Sequence, residues 1–156
     1  MPATPPLTAS DAVAAIIRLD DGRFLMQLRD SRPDIWYPAN WGCFGGAVND
    51  GEAPLAALYR ELYEELEFQP RQASYFTRFD FDFRPIGMRT CYRIFFLVPM
   101  NDAEFQRLVL HEGKALGAFA YDELMNGMPL TPYDAFALHL LHLNAISGQG
   151  PKELTA

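Results

Sequence analysis

Two spacings organise the apolar positions of this chain. An apolar run, AVAAIIRL (Ala12–Leu19), stops at Asp20–Gly22 and resumes as RFLMQLR (Arg23–Arg29). Asp-Gly between two apolar runs predicts a hairpin. The next stretch, Asp30–Asn40, holds two prolines and reads as a loop. WGCFGGAV (Trp41–Val48) reads as a short strand that breaks at its glycines, and Asn49–Glu52 as a turn. From Ala53 to Leu66 the spacing changes: Leu55, Leu58, Leu62 and Leu66 recur at helical intervals. Pro54 is tolerated because a first-turn N–H has no partner inside the helix.

Period two returns in Ala73–Arg84, predicting a strand with one wet face. Met88–Met100 is its expected antiparallel partner. Asn101–Leu110 fits neither period, and His111–Leu124 reads as loop, short strand and helix start. Thr131–Ser147 predicts a final helix with Leu138, Leu141 and Ile146 among its apolar positions. Helices and strands interleave with much hairpin content, so a mixed sheet between helices is expected. The organisation expected is a loose arm at 1–10, a single domain at 11–148 and a tail at 149–156.

Composition narrows the classes. The chain has 156 residues, enough for one domain with a real core. Its net charge of −7 excludes unspecific nucleic-acid binding, which draws on Lys and Arg meeting phosphates. Two cysteines, Cys43 and Cys91, are too few for a disulfide scaffold, so a reducing cytoplasm is expected. No signal peptide is expected from MPATPPLTAS, and no apolar run is long enough to span a membrane.

One segment concentrates charge: Arg60 to Glu67 carries four glutamates and one arginine in eight residues. On a helix, Glu61, Glu64 and Glu65 share one face beside the leucine stripe, and Arg60 can pair with Glu64. Clustered carboxylates repel unless a cation neutralises them. Hard cations such as Mg2+ take oxygen ligands, and a Gly45–Gly46 turn can bend a carbonyl toward the same ion. A solvated acidic face is the plain alternative for a bare cluster of this kind.

The full spacing decides between them. Gly46, five residues, Glu52, seven residues, then Arg60, Glu61, Leu62, Glu64 and Glu65 resembles the Nudix box, covering 23 residues to Phe68. The departure is Glu67, which stands where that pattern has glycine. The resemblance implies a Nudix-type α/β/α sandwich with a mixed β-sheet, an α/β (α+β) fold. It further implies a divalent-metal-dependent hydrolase that cleaves the pyrophosphate linkage of a nucleoside diphosphate linked to a second group.

By that resemblance, Gly45 (through its carbonyl), Glu61, Glu64 and Glu65 are the metal ligands for Mg2+ or Mn2+. Arg60 orients a glutamate, and Glu52 ties the turn to the helix. Glu64, Glu65, Arg60 and Glu112 form the expected catalytic group, with Glu112 the loop base and His111 second to it. Glycine at position 67 would end the helix in a left-handed conformation. With Glu67 there, the helix is free to continue toward Pro70.

Substrate choice is carried by loops outside such a box. Arg29, Trp36, Tyr37 and Trp41 are the candidate substrate contacts: aromatic rings to stack on a base, and a cation for a phosphate. Tyr133 is a weaker pocket candidate. Phe81, Phe83, Tyr92 and Phe96 are expected in the core, and Cys43 as a small buried residue. The expected partner is a small nucleoside diphosphate derivative, with no nucleic acid and no membrane, and a homodimer is left open by analogy. Two other readings share the fold: a nucleotide-binding or regulatory module without turnover, and an isopentenyl-diphosphate isomerase. The intact Arg-Glu-Leu-x-Glu-Glu disfavours both.

Overall fold

The computed structural model describes residues 7–148. Seven strands form one mixed sheet, flanked on its two faces by helices, as the sequence predicts. β1 (Ala12–Leu19) is the centre. One edge pairs in parallel with β6 (Thr90–Met100), from Ala12 opposite Arg93 to Leu19 opposite Met100. The other edge is shared. β2 (Phe24–Leu28) pairs with it only at Ile17 and Arg18, after the Asp-Gly turn, where Gly22 has φ +88°.

Beyond those two pairs the hairpin splays, and a broken strand enters the gap. β3 (Trp41–Gly42) pairs with β2, and β4 (Phe44–Ala47) pairs with β1. Cys43, between them, turns its N–H to the Asp134 carboxylate at 2.9 Å. On its far edge β2 carries β7 (Ala115–Phe119), and β6 carries β5 (Ser74–Asp82), antiparallel with a bulge between Tyr75 and Thr77.

Side chains of a strand alternate between faces, so β1 divides its apolar run between two cores. Val13, Ala15, Ile17 and Leu19 meet Leu58, Leu62 and Leu66 of α1 (Pro54–Leu66). Ala14 and Ile16 meet Leu138 of α4 (Pro132–Ile146) and Leu124 of α3 (Tyr121–Met125). Burial on both faces explains why β1 reads as a continuous apolar run. The segment that fitted neither period begins with a short α2 (Asp102–Gln106), closed by a reciprocal Asn101–Glu104 capping box.

Some expected core positions lie outside. Leu55 is exposed because the stripe begins one turn later, with Ala57 taking the inward place. Ile146, in the last turn of α4, is also exposed. Phe96 is buried as expected, but Phe81, Phe83 and Tyr92 are only partly covered and line a cavity instead. Phe81 and Phe83 stack on each other at the open end of β5, where Tyr133 of α4 meets Phe81 edge-on, and Tyr92 packs at the margin of the α1-side core. Residues 1–6 and 149–156, most of the expected arm and all of the tail, lie outside the described residues.

Candidate active site

Helix α1 presents its acidic face to β4. Arg60 uses all three guanidinium nitrogens there. Nε and Nη2 grip Glu52 at 2.8 and 2.9 Å, Nη1 donates to Glu61 at 2.8 Å and Glu64 at 3.2 Å, and Nη2 also reaches the Ala47 carbonyl at 2.9 Å. One planar fork thus ties the turn, the helix and the strand together, which a lysine ammonium could not do. The Arg60 pair and the Asn49 N–H hold the Glu52 carboxyl down to about 2. Arg60 itself is raised by Glu52 first and then by Glu61.

Glu61 lies against the strand. A Cβ at Gly46 would fall on its carboxylate, so the glycine makes the space the carboxylate occupies. Burial raises the Glu61 pKa in spite of Arg60. Glu65 is more enclosed still, at 2% exposure. Its Oε2 accepts the Gly45 N–H at 3.1 Å. Burial first, and then the nearby charge of Glu112, push Glu65 up to about 9. Gly45 has φ +144° and lies so near the Val13 carbonyl that no side chain fits; both facts demand glycine. Glu64 stands on the rim, with a side chain 56% exposed.

The helix ends at Glu67 and does not run on toward Pro70. Glu67 adopts the left-handed conformation (φ 53°, ψ 30°) that glycine would hold without strain. Its carboxylate lies 3.3 Å from His111 Nε2. The segment after α2 folds back here: Val109 N–H donates to Leu66 O, and His111 N–H to Glu65 O at 2.9 Å. Glu112 is thereby carried beside Glu65 and Glu61, whose pKa values both register its charge.

Beside this face lies a cavity of about 640 Å3, bordered by Gly45, Gly46 and Ala47 on one side and by aromatic rings on the others. Trp36 stacks on Phe83 (centroids 5.6 Å apart), and Tyr37 meets Tyr133 edge-on at 5.7 Å. Arg29 lines it as well, its Nε held by the Trp36 carbonyl at 2.9 Å. Trp36 Nε1 donates to Thr8 O and Arg89 Nε to Ala9 O, so the chain before β1 forms one wall. Trp41 is not part of this lining: it packs edge-on against Phe119 at 4.9 Å, in the α4-side core. Tyr133, the weaker candidate, is part of it.

The cavity floor holds a network absent from the sequence reading. Arg93 donates to Asp134 Oδ1 from Nε (3.2 Å) and Nη2 (3.0 Å), while Asp134 Oδ2 accepts from Thr131 Oγ1 (2.6 Å) and the Cys43 N–H. A Cβ on Gly42 would approach Asp134 Oδ2 to 2.8 Å. Arg93 also lies over the Tyr133 ring, 4.6 Å from its centroid. The one visible hint is Thr-Pro-Tyr-Asp at the start of a helix, which reads equally as a helix N-terminus.

Among the described residues, no three His, Cys, Asp or Glu side chains converge closely enough to hold a metal ion. The donor chemistry nevertheless fits a hard divalent cation. Glu61 and Glu65 are oxygen donors that burial disfavours as anions, and the charge of Glu112 nearby disfavours them further, a balance that a cation would reverse.

A NUDIX domain family model matches residues 8–142. No curated protein matches. Among solved structures, the MutT NUDIX hydrolase of Burkholderia pseudomallei is 27% identical, covering 86% of this chain and 98% of its own, with a TM-score of 0.67. The E. coli ORF135 protein is also 27% identical, covering 90% and 94%, with a TM-score of 0.71. The MutT protein of Methanosarcina mazei Go1 shares the fold at 18% identity, covering 90% and 96%, with a TM-score of 0.72.

Proposed function

The chain belongs to the Nudix family, and from that premise we propose that it hydrolyses the pyrophosphate linkage of a nucleoside diphosphate joined to a second group, with Mg2+ or Mn2+ as cofactor. The observation that carries this reading is Glu65: a buried carboxylate fixed by the Gly45 N–H and pushed up to about 9 beside Glu61 and Glu112. A group so disfavoured as an anion calls for a cation or a proton.

In this reading Glu61, Glu65 and the Gly45 carbonyl hold the metal, with Glu64 completing its shell from the rim. Bound there, the ion supplies charge neutralisation for the phosphates and a lowered pKa for its water. Arg60 keeps Glu61 and Glu64 aimed through its fork and does not meet the substrate. Glu112 accepts the proton of the water that attacks phosphorus. Arg29 turns its free Nη atoms toward phosphate, while Trp36 and Tyr37 stack on the planar part of the substrate. Among the described residues no helix is long and apolar enough to cross a membrane, and two free buried cysteines suit the cytoplasm, where we locate the protein.

The test is a substrate panel with Mg2+: ADP-ribose, NADH, GDP-mannose, dinucleoside polyphosphates, 8-oxo-dGTP and canonical dNTPs, scored by products released. Glu65→Gln keeps the shape and removes the charge. We expect at least one substrate to turn over and Glu65→Gln to lower that rate by on the order of 100-fold or more. Undiminished turnover in Glu65→Gln sinks the metal assignment. Nucleotide binding without any hydrolysis favours the regulatory-module reading.

A further inference from the structure

Gln27 is a polar residue in the apolar strand FLMQL, and it is buried, with 4% exposure. It lies mid-sheet, opposite Gly42 of β3 on one edge and Leu116 of β7 on the other. Its neighbours alternate: Phe24 and Met26 join the α4-side core, and Leu25 the α1-side core. Gln27 therefore shares the α1 face with Leu25. An amide in such a place costs stability unless it is hydrogen-bonded, and its partner is specific. Nε2 donates to the backbone carbonyl of Glu112 at 3.0 Å.

The loop around Glu112 is built onto this amide. Gly113 has φ +87°, and a Cβ there would lie 2.8 Å from Gln27 Cγ and 2.9 Å from both Nε2 and the Leu28 carbonyl. Only glycine lets the loop close onto the glutamine. Two further anchors flank it: His111 N–H on Glu65 O at 2.9 Å, and Lys114 N–H on Leu28 O at 2.8 Å. Those two pin the loop ends to α1 and β2. The Gln27 bond alone acts on residue 112 itself, fixing the peptide plane next to the Cα that carries the carboxylate.

We propose that Gln27 is a positioning residue for hydrolysis: it acts through the Glu112–Gly113 peptide to hold the Glu112 carboxylate where it can take a proton from the attacking water. The inference rests on the assignment of Glu112 as the base. Gln27 itself does not line the aromatic cavity, and its Nε2 is spent on the Glu112 carbonyl. Its effect is on rate and not on substrate affinity, because the loop contributes nothing to the aromatic cavity.

The experiment is a double-mutant cycle on the full chain with Mg2+ and the best panel substrate. Gln27→Met keeps the length and apolar contacts of the side chain and deletes the donor. We expect kcat to fall on the order of tenfold, since small displacements of a reacting group are costly, with KM changed by less than about twofold. In a Glu112→Gln background, Gln27→Met should cause no further loss. Losses that multiply, or a rise in KM with kcat intact, overturn the inference and leave the Glu112 assignment standing. A Glu112→Gln enzyme at full rate removes Glu112 from the chemistry, and the inference with it. Melting curves check that Gln27→Met is folded. Should it not fold, Gly113→Ala is put through the same cycle from the loop side with the same expected pattern.

Discussion

Two arginines organise two regions of this protein, and they do so under opposite conditions. Arg60 lies at the surface of α1 with its side chain 27% exposed, and it shares its charge among three glutamates and a backbone carbonyl. Arg93 lies under the aromatic cavity at 13% exposure, facing a single carboxylate, Asp134, that is 2% exposed. Water can replace what Arg60 loses. Nothing replaces what Arg93 loses, because Asp134, Thr131 and the Cys43 N–H are enclosed with it. The first network aims the side chains to which we assign the chemistry. The second holds α4 to the sheet beneath the aromatic cavity.

That contrast breaks most readily at Asp134. Asp134→Ala leaves a buried guanidinium and two buried donors unpaired, and breaking such a pair costs about 3–5 kcal/mol. Chemical denaturation with unchanged slope should show it. A loss of only about 1 kcal/mol, as for a surface ion pair, would erase the difference between the two networks. Next comes Arg60→Lys. Lysine keeps the charge but cannot span Glu52, Glu61 and Glu64 together, so kcat should fall about 10–100-fold, as for other groups that orient metal ligands. Stability should move by about 1 kcal/mol or less. A melting temperature that collapses while the surviving enzyme keeps its kcat would make Arg60 structural after all.

The smallest effect concerns the end of the same helix. Glu67→Gly relieves a left-handed residue worth roughly 1–2 kcal/mol. Against this stand the surface pair with His111, about 0–1 kcal/mol, and the extra unfolded-state freedom of glycine, about 0.4–1 kcal/mol. The net expectation is a gain of under about 1 kcal/mol in denaturant, with activity unchanged. Net destabilisation would mean that Glu67 earns its place through His111, and would bring the loop contact into the first network.

The difference between the networks also explains what could be read from the sequence. Glu52, Arg60, Glu61, Glu64 and Glu65 lie within one turn and one helix, so their geometry follows from spacing along a regular element. Arg93 and Asp134 are 41 residues apart and meet only because α4 packs on the face of the sheet from which Arg93 projects. Gln27 and Glu112 are 85 apart. No local period encodes either meeting. Burial went wrong for the same reason at Phe81 and Phe83, where alternation gives the face of a strand but not how far the helix layer extends over it. Trp41 shows the converse: β3 and β7 flank β2, and that pairing sets its ring edge-on against Phe119 at the margin of the α4-side core. The helix stop at Glu67 went unread because propensity opposes it, whereas the returning loop bonds Leu66 and Glu65 and fixes the end from outside.

The parallel pairing of β1 with β6 has a consequence for the order of events during synthesis. The strand at the middle of the sheet is made first, and its longest partner ends at Met100. At roughly 5–20 residues per second, several seconds pass on the ribosome before that partner exists. During that interval Ala12–Leu19, apolar on both faces, has its hairpin, the short β4 and, over one face, α1 to cover it, but neither β6 along its edge nor α4 over its other face. The nascent chain is thus most open to wrong partners along the β6 edge of β1 until residue 100 emerges, and the loop at His111 reaches α1 only after that.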